Sequence, residues 1–227
     1  MKTRIYLADC RVLEDITLAE CLASSLPVPR QEKLARLREG QARRLSLGAG
    51  LLLVQALREE GLRPADYTVS SRGRPFFPSL PDFQFSLSHS GETAMCGVSA
   101  QPIGCDIEKA RPFDVHLAER FFHPDEWAYL SSLPQDAREE GFFRLWTRKE
   151  SYMKALGLGF SLPMSSFALC ADGTDALLSG GDGQRWFFRS FTAEDDCYCA
   201  VCARDAEPDI PVIRVDFRTL LGKAAAT

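Results

Sequence analysis

The spacing of apolar residues changes several times along the chain, and the order of these changes constrains the fold more than any other feature. The opening segment RIYLADC alternates apolar and polar residues as a strand does, and residues 21–62 then show helical spacing. Short β-type runs separated by turn residues follow, helical spacing returns over residues 114–156, and strand-like runs fill the C-terminal third. The order strand, helices, strands, helices, strands predicts an α+β fold with two similar halves that meet near residue 100.

Individual elements can be placed within this order. A helix is predicted from about Gly40 to Glu60 with Gly61 as its stop, and Gly48 and Gly50 inside it indicate close packing or a nearby ligand, because glycine weakens a helix. The remaining predictions are strands at 83–90, 93–100 and 103–108, helices at 114–122, 124–133 and 137–156, and antiparallel strands at 167–173, 185–193, 198–203 and 211–217.

Composition excludes several functional classes. The net charge of −4 argues against a general nucleic-acid binder, since such proteins need excess Lys and Arg; a basic stretch at residues 30–44 is assigned on charge alone to a solvated helix face. Asp9 and Glu14 interrupt the region where a secretion signal needs an apolar core, and no run approaches the roughly 20 apolar residues of a membrane span. We therefore expect a cytoplasmic protein that binds neither nucleic acid nor membrane.

The chain has eight cysteines, which a cytoplasmic location would keep as thiols. Cys197, Cys199 and Cys202 could suggest a metal site, but no second Cys pair or His pair stands at zinc spacing. We expect these three residues in a buried strand.

Two acidic residues share one side of the predicted strand IGCDIE. Residues two apart in a strand project to the same face, so Asp106 and Glu108 lie together while Ile103, Cys105 and Ile107 enter the core. Their carboxylates are then roughly 6–7 Å apart, close enough to share one hard cation. A strand with a polar outer face explains the pair equally well.

The predicted helix at 137–156 carries Glu150 and Lys154 one turn apart. On a surface helix such a pair contributes only about 0.3–0.5 kcal/mol, but this helix is rich in apolar residues, and charges held among them need a partner or a task. If Glu150 joined Asp106 and Glu108, three carboxylates would form an oxygen-ligand site suited to Mg²⁺. Lys149 and Lys154 would then supply positive charge to bound phosphates.

His89 stands in the polar sequence SLSHSG between Ser88 and Ser90. A phosphate contact and a purely structural histidine are both compatible with this position.

Four segments in this order and spacing resemble the Sfp-type 4′-phosphopantetheinyl transferases: GRPFFPSLPDFQFSLSHSGE, IGCDIEK, RFFHPDEW and LWTRKESYMKALGLGFSLPM. The resemblance spans about residues 26–205. It implies a pseudo-twofold monomer of two α+β subdomains, here residues 1–100 and 101–227, with the active site at their junction. It also implies transfer of the phosphopantetheine arm of coenzyme A to a serine of an acyl or peptidyl carrier protein, with release of 3′,5′-ADP.

The resemblance also implies roles for single residues. Trp146 matches the tryptophan of the family's W-x-x-K-E motif, and FSLPM (160–164) and the helix around Leu117 are expected to meet the carrier. The implied metal ligands for Mg²⁺, with Mn²⁺ as an alternative, are Asp106, Glu108 and Glu150; the implied catalytic residues are Glu150 as base and Lys154 as donor to the leaving phosphate; the implied coenzyme A contacts are Arg44, Arg74, Ser88, His89, Lys149 and Lys154, with Arg30 and Lys33 ranked behind them.

One departure from the family pattern is Cys105, where Ile or Val is more usual. A small hydrophobic thiol fits this slot, but it predicts activity that is sensitive to peroxide. Two other functions remain as alternatives: a non-catalytic binder of coenzyme A or carrier proteins, and a metal-dependent phosphodiesterase, which three carboxylates could also serve. The carrier type, the tolerance for acylated coenzyme A and the preferred metal stay open.

Overall fold

The computed structural model describes residues 1–63, 67–112, 115–169, 177–179, 182–204 and 210–220. Its strands are β1 (Arg4–Asp9), β2 (Thr68–Val69), β3 (Pro75–Phe76), β4 (Gln84–Ser90), β5 (Thr93–Ser99), β6 (Ile103–Lys109), β7 (Ala168–Leu169), β8 (Leu177–Ser179), β9 (Trp186–Ala193), β10 (Cys197–Arg204) and β11 (Val212–Arg214). Its helices are α1 (Ile16–Ala23), α2 (Val28–Ala35), α3 (Gln41–Glu59), α4 (Val115–Phe121), α5 (Pro124–Ser132) and α6 (Arg138–Leu156).

Two sheets of three or more strands organise the described part of the chain, one built mainly from the N-terminal half of the sequence and one from the C-terminal half. The first has the strand order β11-β1-β5-β4, and the second has the order β6-β10-β9. A 19-residue helix packs on each sheet, α3 on the first and α6 on the second. The predicted α+β class is confirmed, and the two halves share this helix-on-sheet arrangement.

Most predicted elements occur where the pattern placed them. The predicted helix at 40–60 is α3, Gly61 follows it at φ +70°, and Gly157 ends α6 in a left-handed conformation. Within 167–173 the structure has strand only at Ala168–Leu169, and Cys170–Gly173 lie outside the described residues. Cys197, Cys199 and Cys202 lie buried in β10, as expected, and every cysteine in the described ranges is a free thiol.

The glycines inside α3 serve close packing. A Cβ on Gly48 would lie 2.4 Å from the Sγ of Cys10, and one on Gly50 would lie 2.9 Å from Leu26 and 3.2 Å from the Nε of Arg30. The missing side chains therefore let the N-terminal segments approach the helix, and at Gly50 they leave room for a buried arginine.

The last strand corrects one prediction. Residues 211–217 were expected among antiparallel C-terminal strands, but β11 pairs in parallel with β1, with Ile213 opposite Tyr6. The C-terminal end thus adds an edge strand to the N-terminal sheet. The division into subdomains at residue 100 stays a prediction, and β11 would cross it, because this strand pairs with the N-terminal sheet.

The two sheets share an apolar core. Ile5, Leu7 and Met95 of the first sheet belong to the same buried cluster as Ile103 and Val201 of the second. This contact fixes one half on the other and brings the edge strand β4 alongside the edge strand β6. No helix within the described ranges is long and apolar enough to cross a membrane.

Candidate active site

Serine side chains join β4 to β6, where the two sheets meet. The Oγ of Ser86 accepts a hydrogen bond from the backbone N–H of Cys105 at 3.0 Å, and that of Ser90 accepts one from Lys109 at 3.0 Å. Between them, Ser88 donates to Asp106 at 2.8 Å. These three serines alternate along β4 and share one face, so hydroxyl groups hold the two strands together at this seam.

Asp106 is the buried centre of the cluster. It is 4% exposed, and its Oδ1 accepts from Ser88 and, at 2.6 Å, from the Nζ of Lys154. Lys154 also donates to the Oγ of Ser88 at 3.1 Å. The Oδ2 of Asp106 is buried without a hydrogen-bond partner. A buried carboxylate oxygen left in this state is costly, so this atom is a candidate ligand for a group that is not part of the chain.

Glycine at position 104 brings α6 onto the acidic strand. A Cβ there would lie 1.9 Å from the carbonyl oxygen of Ser151 and 2.5 Å from the backbone nitrogen of Ala155, which no side chain could tolerate. The close approach places the helix face that carries Glu150 and Lys154 over Asp106. The helix therefore covers the acidic face of β6 at Asp106, while Glu108 stays partly exposed.

The electrostatics of the cluster show excess negative charge. Burial, and then the charge of Asp106, raise the pKa of Glu150 to about 7, with Lys154 opposing the shift. Burial and Asp106 also raise the pKa of Glu108, which a hydrogen bond from Ser90 at 3.1 Å partly offsets. Since Asp106 raises the pKa of both glutamates, a cation placed among these side chains would stabilise the ionised forms of Glu108 and Glu150.

The donor chemistry of this cluster fits a divalent cation. Carboxylate oxygens are the ligands that hard cations prefer, and Asp106 offers an oxygen without a partner beside Glu108 and Glu150. In the present conformation, the described part of the chain has no group of three His, Cys, Asp or Glu side chains arranged to hold a metal ion. The ammonium of Lys154 lies against Asp106 instead and supplies the neutralising charge.

A basic cavity of about 380 Å³ opens beside the cluster, with Lys154 in its wall. Tyr67, Phe85 and Pro75 give it an apolar surface. Its cationic lining residues are Arg30, Lys33, Arg72, Arg74 and Lys154, and no acidic residue of the described ranges lines it. Five cations gathered in a chain of net charge −4 give this cavity the charge and the apolar surface that suit a polyanion with an apolar part.

His89 lies on β4 near this cavity. It lies on the face of β4 opposite Ser88, the face that also carries the cavity residues Phe85 and Leu87. Partial burial lowers the pKa of His89, and the charges of Lys33 and Arg30 lower it further. The imidazole therefore lies in the positive field of these side chains.

Comparison with known proteins identifies the family. The model of the 4′-phosphopantetheinyl transferase superfamily matches residues 102–202. A 4′-phosphopantetheinyl transferase of Bacillus subtilis is 36% identical over 83% of this chain and 85% of its own length, and the 4′-phosphopantetheinyl transferase Sfp of Bacillus subtilis (strain 168) is 34% identical over 89% and 92%. The chain belongs to the 4′-phosphopantetheinyl transferase superfamily. The predicted family and enzyme class are thereby confirmed.

A solved structure provides a weaker likeness. The holo-acyl-carrier-protein synthase of Thermotoga maritima matches 47% of this chain and 64% of its own, at 19% identity and a TM-score of 0.38. A score this low supports no inference about the present chain.

Six of the residues that the transferase resemblance selects are brought together by the structure. Asp106, Glu108, Glu150, Lys154, Ser88 and His89 lie at the β4–β6 seam or beside it. Arg74 lines the adjoining cavity, where its guanidinium also donates to the carbonyl of Ala155 at 3.1 Å and to Gln84 at 2.8 Å. Arg30 and Lys33, ranked lower on sequence, line the same cavity.

Arg44 lies elsewhere. Its guanidinium forms ion pairs with Glu14 at 3.2 Å and with Glu92 at 3.3 Å, and the cavity wall does not include it. Gln41 bonds the same turn, donating to Gly91 and Glu92. The geometry thus gives Arg44 a role in holding the turn after β4, and its expected contact with coenzyme A stays a prediction.

Lys149 is also turned away from the cluster. Its Nζ is fully buried and donates to both carboxylate oxygens of Glu126, at 2.6 and 2.8 Å, and to the carbonyl of Phe167 at 2.7 Å. Burial lowers the pKa of Lys149 to about 8, and the charge of Glu126 opposes this. Adjacent helix residues point about 100° apart, so Lys149 faces the core although Glu150 faces β6. The structure does not support the expected contact with coenzyme A phosphates.

Cys105 is inert in this setting. It is fully buried, its Sγ donates to the carbonyl of Ser86 at 3.2 Å, and burial raises the pKa of its thiol to about 11. Because the thiolate is the reactive form, the structure argues against the peroxide sensitivity that the sequence suggested.

Several functional residues were missed by sequence reasoning. Gly104 could have been found, because a glycine inside a strand indicates a close backbone approach. Arg72 and Tyr67 lie in irregular segments beside β2 and β3 and gave no periodic signal, and Glu126 is identified only by its partner.

Proposed function

We propose that this protein transfers the 4′-phosphopantetheine arm of coenzyme A to a serine of an acyl or peptidyl carrier protein, in a Mg²⁺-dependent reaction that releases 3′,5′-ADP. The observation that carries the proposal is the basic cavity opening directly onto the acidic cluster, with Lys154 belonging to both. The family membership of the chain supports the same reaction class.

The cavity matches the nucleotide end of coenzyme A. That end carries a 3′-phosphate and a pyrophosphate, whose negative charge Arg30, Lys33 and Arg74 can compensate. Its adenine can pack on Tyr67 and Phe85. Arg30 is 5% exposed, and its guanidinium donates to the carbonyl of Ser46, so its charge is held in place at the wall of the cavity.

The residues that would hold the metal are Asp106, Glu108 and Glu150. When bound, Mg²⁺ neutralises charge on the pyrophosphate and favours displacement at phosphorus. Mn²⁺ has the same preference for oxygen ligands in this setting.

Two residues of the chain would transfer protons in this reaction. The carrier serine oxygen forms a bond to the phosphorus that bears pantetheine, and the bond from that phosphorus to the bridging oxygen breaks, so 3′,5′-ADP leaves. Glu150 takes the serine proton as a general base, and a cation held beside it would keep its carboxylate ionised for this role. Lys154, held at Asp106, stays charged because Asp106 raises its pKa against the effect of burial, and it can donate to the leaving phosphate.

The carrier would approach the open side of the cluster. Leu117 and Phe121 of α4 are 41% and 38% exposed and give an apolar surface on the same half of the molecule as α6. With residues 160–164, this surface is our candidate for docking the carrier helix. We further propose that the enzyme acts as a monomer in the cytoplasm.

Intact-protein mass spectrometry of an apo carrier protein tests the function. The carrier is incubated with the protein, coenzyme A and Mg²⁺, beside an Asp106→Ala control. One added phosphopantetheine arm that depends on Asp106 is the expected result. Coenzyme A binding without transfer to fatty acid, polyketide or peptide carriers would favour a non-catalytic binder, and release of phosphate from simple diesters would favour a phosphodiesterase.

A further inference from the structure

The hydroxyl of Ser90 links the backbone of β6 to one of its carboxylates. Its Oγ accepts from the N–H of Lys109 at 3.0 Å and donates to the Oε2 of Glu108 at 3.1 Å. The acceptor contact with the backbone fixes the position of the oxygen, and this leaves its proton for the carboxylate. The hydrogen bond from Ser90 therefore restricts the rotamer of Glu108, and Ser90 is itself held by the backbone of β6.

The turn after β4 holds Ser90 in the position that makes these two hydrogen bonds. Gly91 follows Ser90 at φ +58°, and the side chain of Lys109 lies so close that a Cβ on Gly91 would be 2.9 Å from its Cδ. Gln41 donates to the carbonyl of Gly91 at 2.9 Å from the N-terminus of α3. Ser90 is thus held by neighbours on both sides of the seam.

Ser86 provides the comparison within the same strand. Its Oγ accepts the equivalent hydrogen bond from a backbone N–H of β6, that of Cys105, at 3.0 Å, and among the described residues it bonds to no carboxylate. The two serines therefore contribute alike to joining the strands but differ toward the acidic cluster.

From this difference we propose that Ser90 is a positioning residue for metal binding, orienting Glu108 so that its other oxygen is available to the cation. The inference rests on the proposed function, because it takes Glu108 as a metal ligand. Outer hydrogen bonds to carboxylate ligands typically change metal affinity by about 10- to 100-fold when they are removed.

Mn²⁺ titration monitored by electron paramagnetic resonance tests the inference without turnover. The free Mn²⁺ signal is followed with and without coenzyme A, and no carrier is present. Ser90→Ala should bind Mn²⁺ about 10- to 100-fold more weakly than the unmodified chain. Ser86→Ala should lose comparable thermal stability but keep its Mn²⁺ affinity, and Ser90→Thr, which retains the hydroxyl, should restore affinity. If Ser90→Ala does not fold, Ser90→Cys, with a weaker donor of similar size, should show a smaller but measurable loss.

The outcomes separate the two proposals. Equal Mn²⁺ affinity of Ser90→Ala and the unmodified chain overturns the role of Ser90 and leaves the proposed function intact. Equal weakening by Ser86→Ala also overturns it, because the effect would then come from the seam as a whole. An unmodified chain that binds Mn²⁺ no better than Asp106→Ala removes the metal site itself, and the Ser90 inference with it.

Discussion

Replacing Glu126 with glutamine removes the only charge that the structure pairs with the buried ammonium of Lys149 among the residues it describes. The two side chains are 1% and 0% exposed, so water cannot compensate for the lost partner. Breaking a buried ion pair by removing one member typically costs about 3–5 kcal/mol. In a chain of this size, that corresponds to a fall in Tm of about 6–20 °C.

The same carboxylate accepts two backbone N–H groups, from Leu169 at 2.9 Å and from His123 at 3.0 Å. It therefore connects α5 and α6 with β7, and glutamine can replace only one of its oxygens as an acceptor. A double variant, Glu126→Leu with Lys149→Met, removes both charges but still leaves those N–H groups without this partner. We expect the double variant to be more stable than the sum of the single changes predicts, with a coupling energy of about 2 kcal/mol or more.

Urea denaturation and calorimetry of the unmodified chain, Glu126→Leu, Lys149→Met and the double variant measure this cycle, with Glu126→Gln measured beside them, and coenzyme A affinity is determined on each folded variant. We expect large losses of stability and little change in coenzyme A affinity for Lys149→Met. A Lys149→Met variant of normal stability that fails to bind coenzyme A would refute the reasoning and return Lys149 to the phosphate-binding role expected from the sequence.

Three further changes test the site. Gly104→Ala should destabilise the protein by at least about 3 kcal/mol, the upper end of the usual cost of overpacking, because its new Cβ would meet rigid backbone. Gly97→Ala should cost less, because its new Cβ would lie 3.1 Å from the terminal methyl of Ile103 and at an ordinary 3.5 Å from the Cβ of Cys105. Urea denaturation compares the two variants, and equal costs would contradict the close approach of α6 to β6. His89 should take up a proton when a phosphate binds beside it, so coenzyme A affinity should fall as pH rises from 5.5 to 8 and His89→Gln should flatten this dependence in calorimetric titrations; an unchanged slope would exclude the contact. The folded-state pKa of Glu150 is raised to about 7, so its contribution to stability is fully present below its unfolded pKa and is lost as pH rises through 7. The Tm of the metal-free protein should therefore fall as pH rises from the unfolded pKa to above 7, and Glu150→Gln should reduce this fall. An identical fall in the variant would show that Glu150 is not the group responsible.

Much of the site follows from local periodicity. Residues two apart in β6 and four apart in α6 must share a face, and this rule by itself groups Asp106 with Glu108 and Glu150 with Lys154. The same rule could not show that the two faces meet, because their contact depends on Gly104 and on the packing of one sheet against the other.

Two of the residues that the resemblance selected are paired with distant partners. Lys149 is held by Glu126 and Arg44 by Glu92, residues 23 and 48 positions away, so a motif match could not show that their charges were already paired. The parallel pairing of β11 with β1 was equally hidden, since alternation identifies a strand but not its neighbour.

The central claim is that the basic cavity binds coenzyme A and that the carboxylates at the β4–β6 seam catalyse the transfer of its phosphopantetheine arm. Steady-state transfer to an apo carrier, followed by mass spectrometry over a range of coenzyme A concentrations, compares Glu150→Gln with Lys33→Ala. We predict that Glu150→Gln lowers the rate at saturating coenzyme A by about 10²- to 10⁴-fold with little change in affinity, as loss of a general base should. Lys33→Ala should weaken coenzyme A binding by about tenfold, as loss of a charged hydrogen bond should, and retain the saturated rate. Loss of the same parameter in both variants would contradict the account.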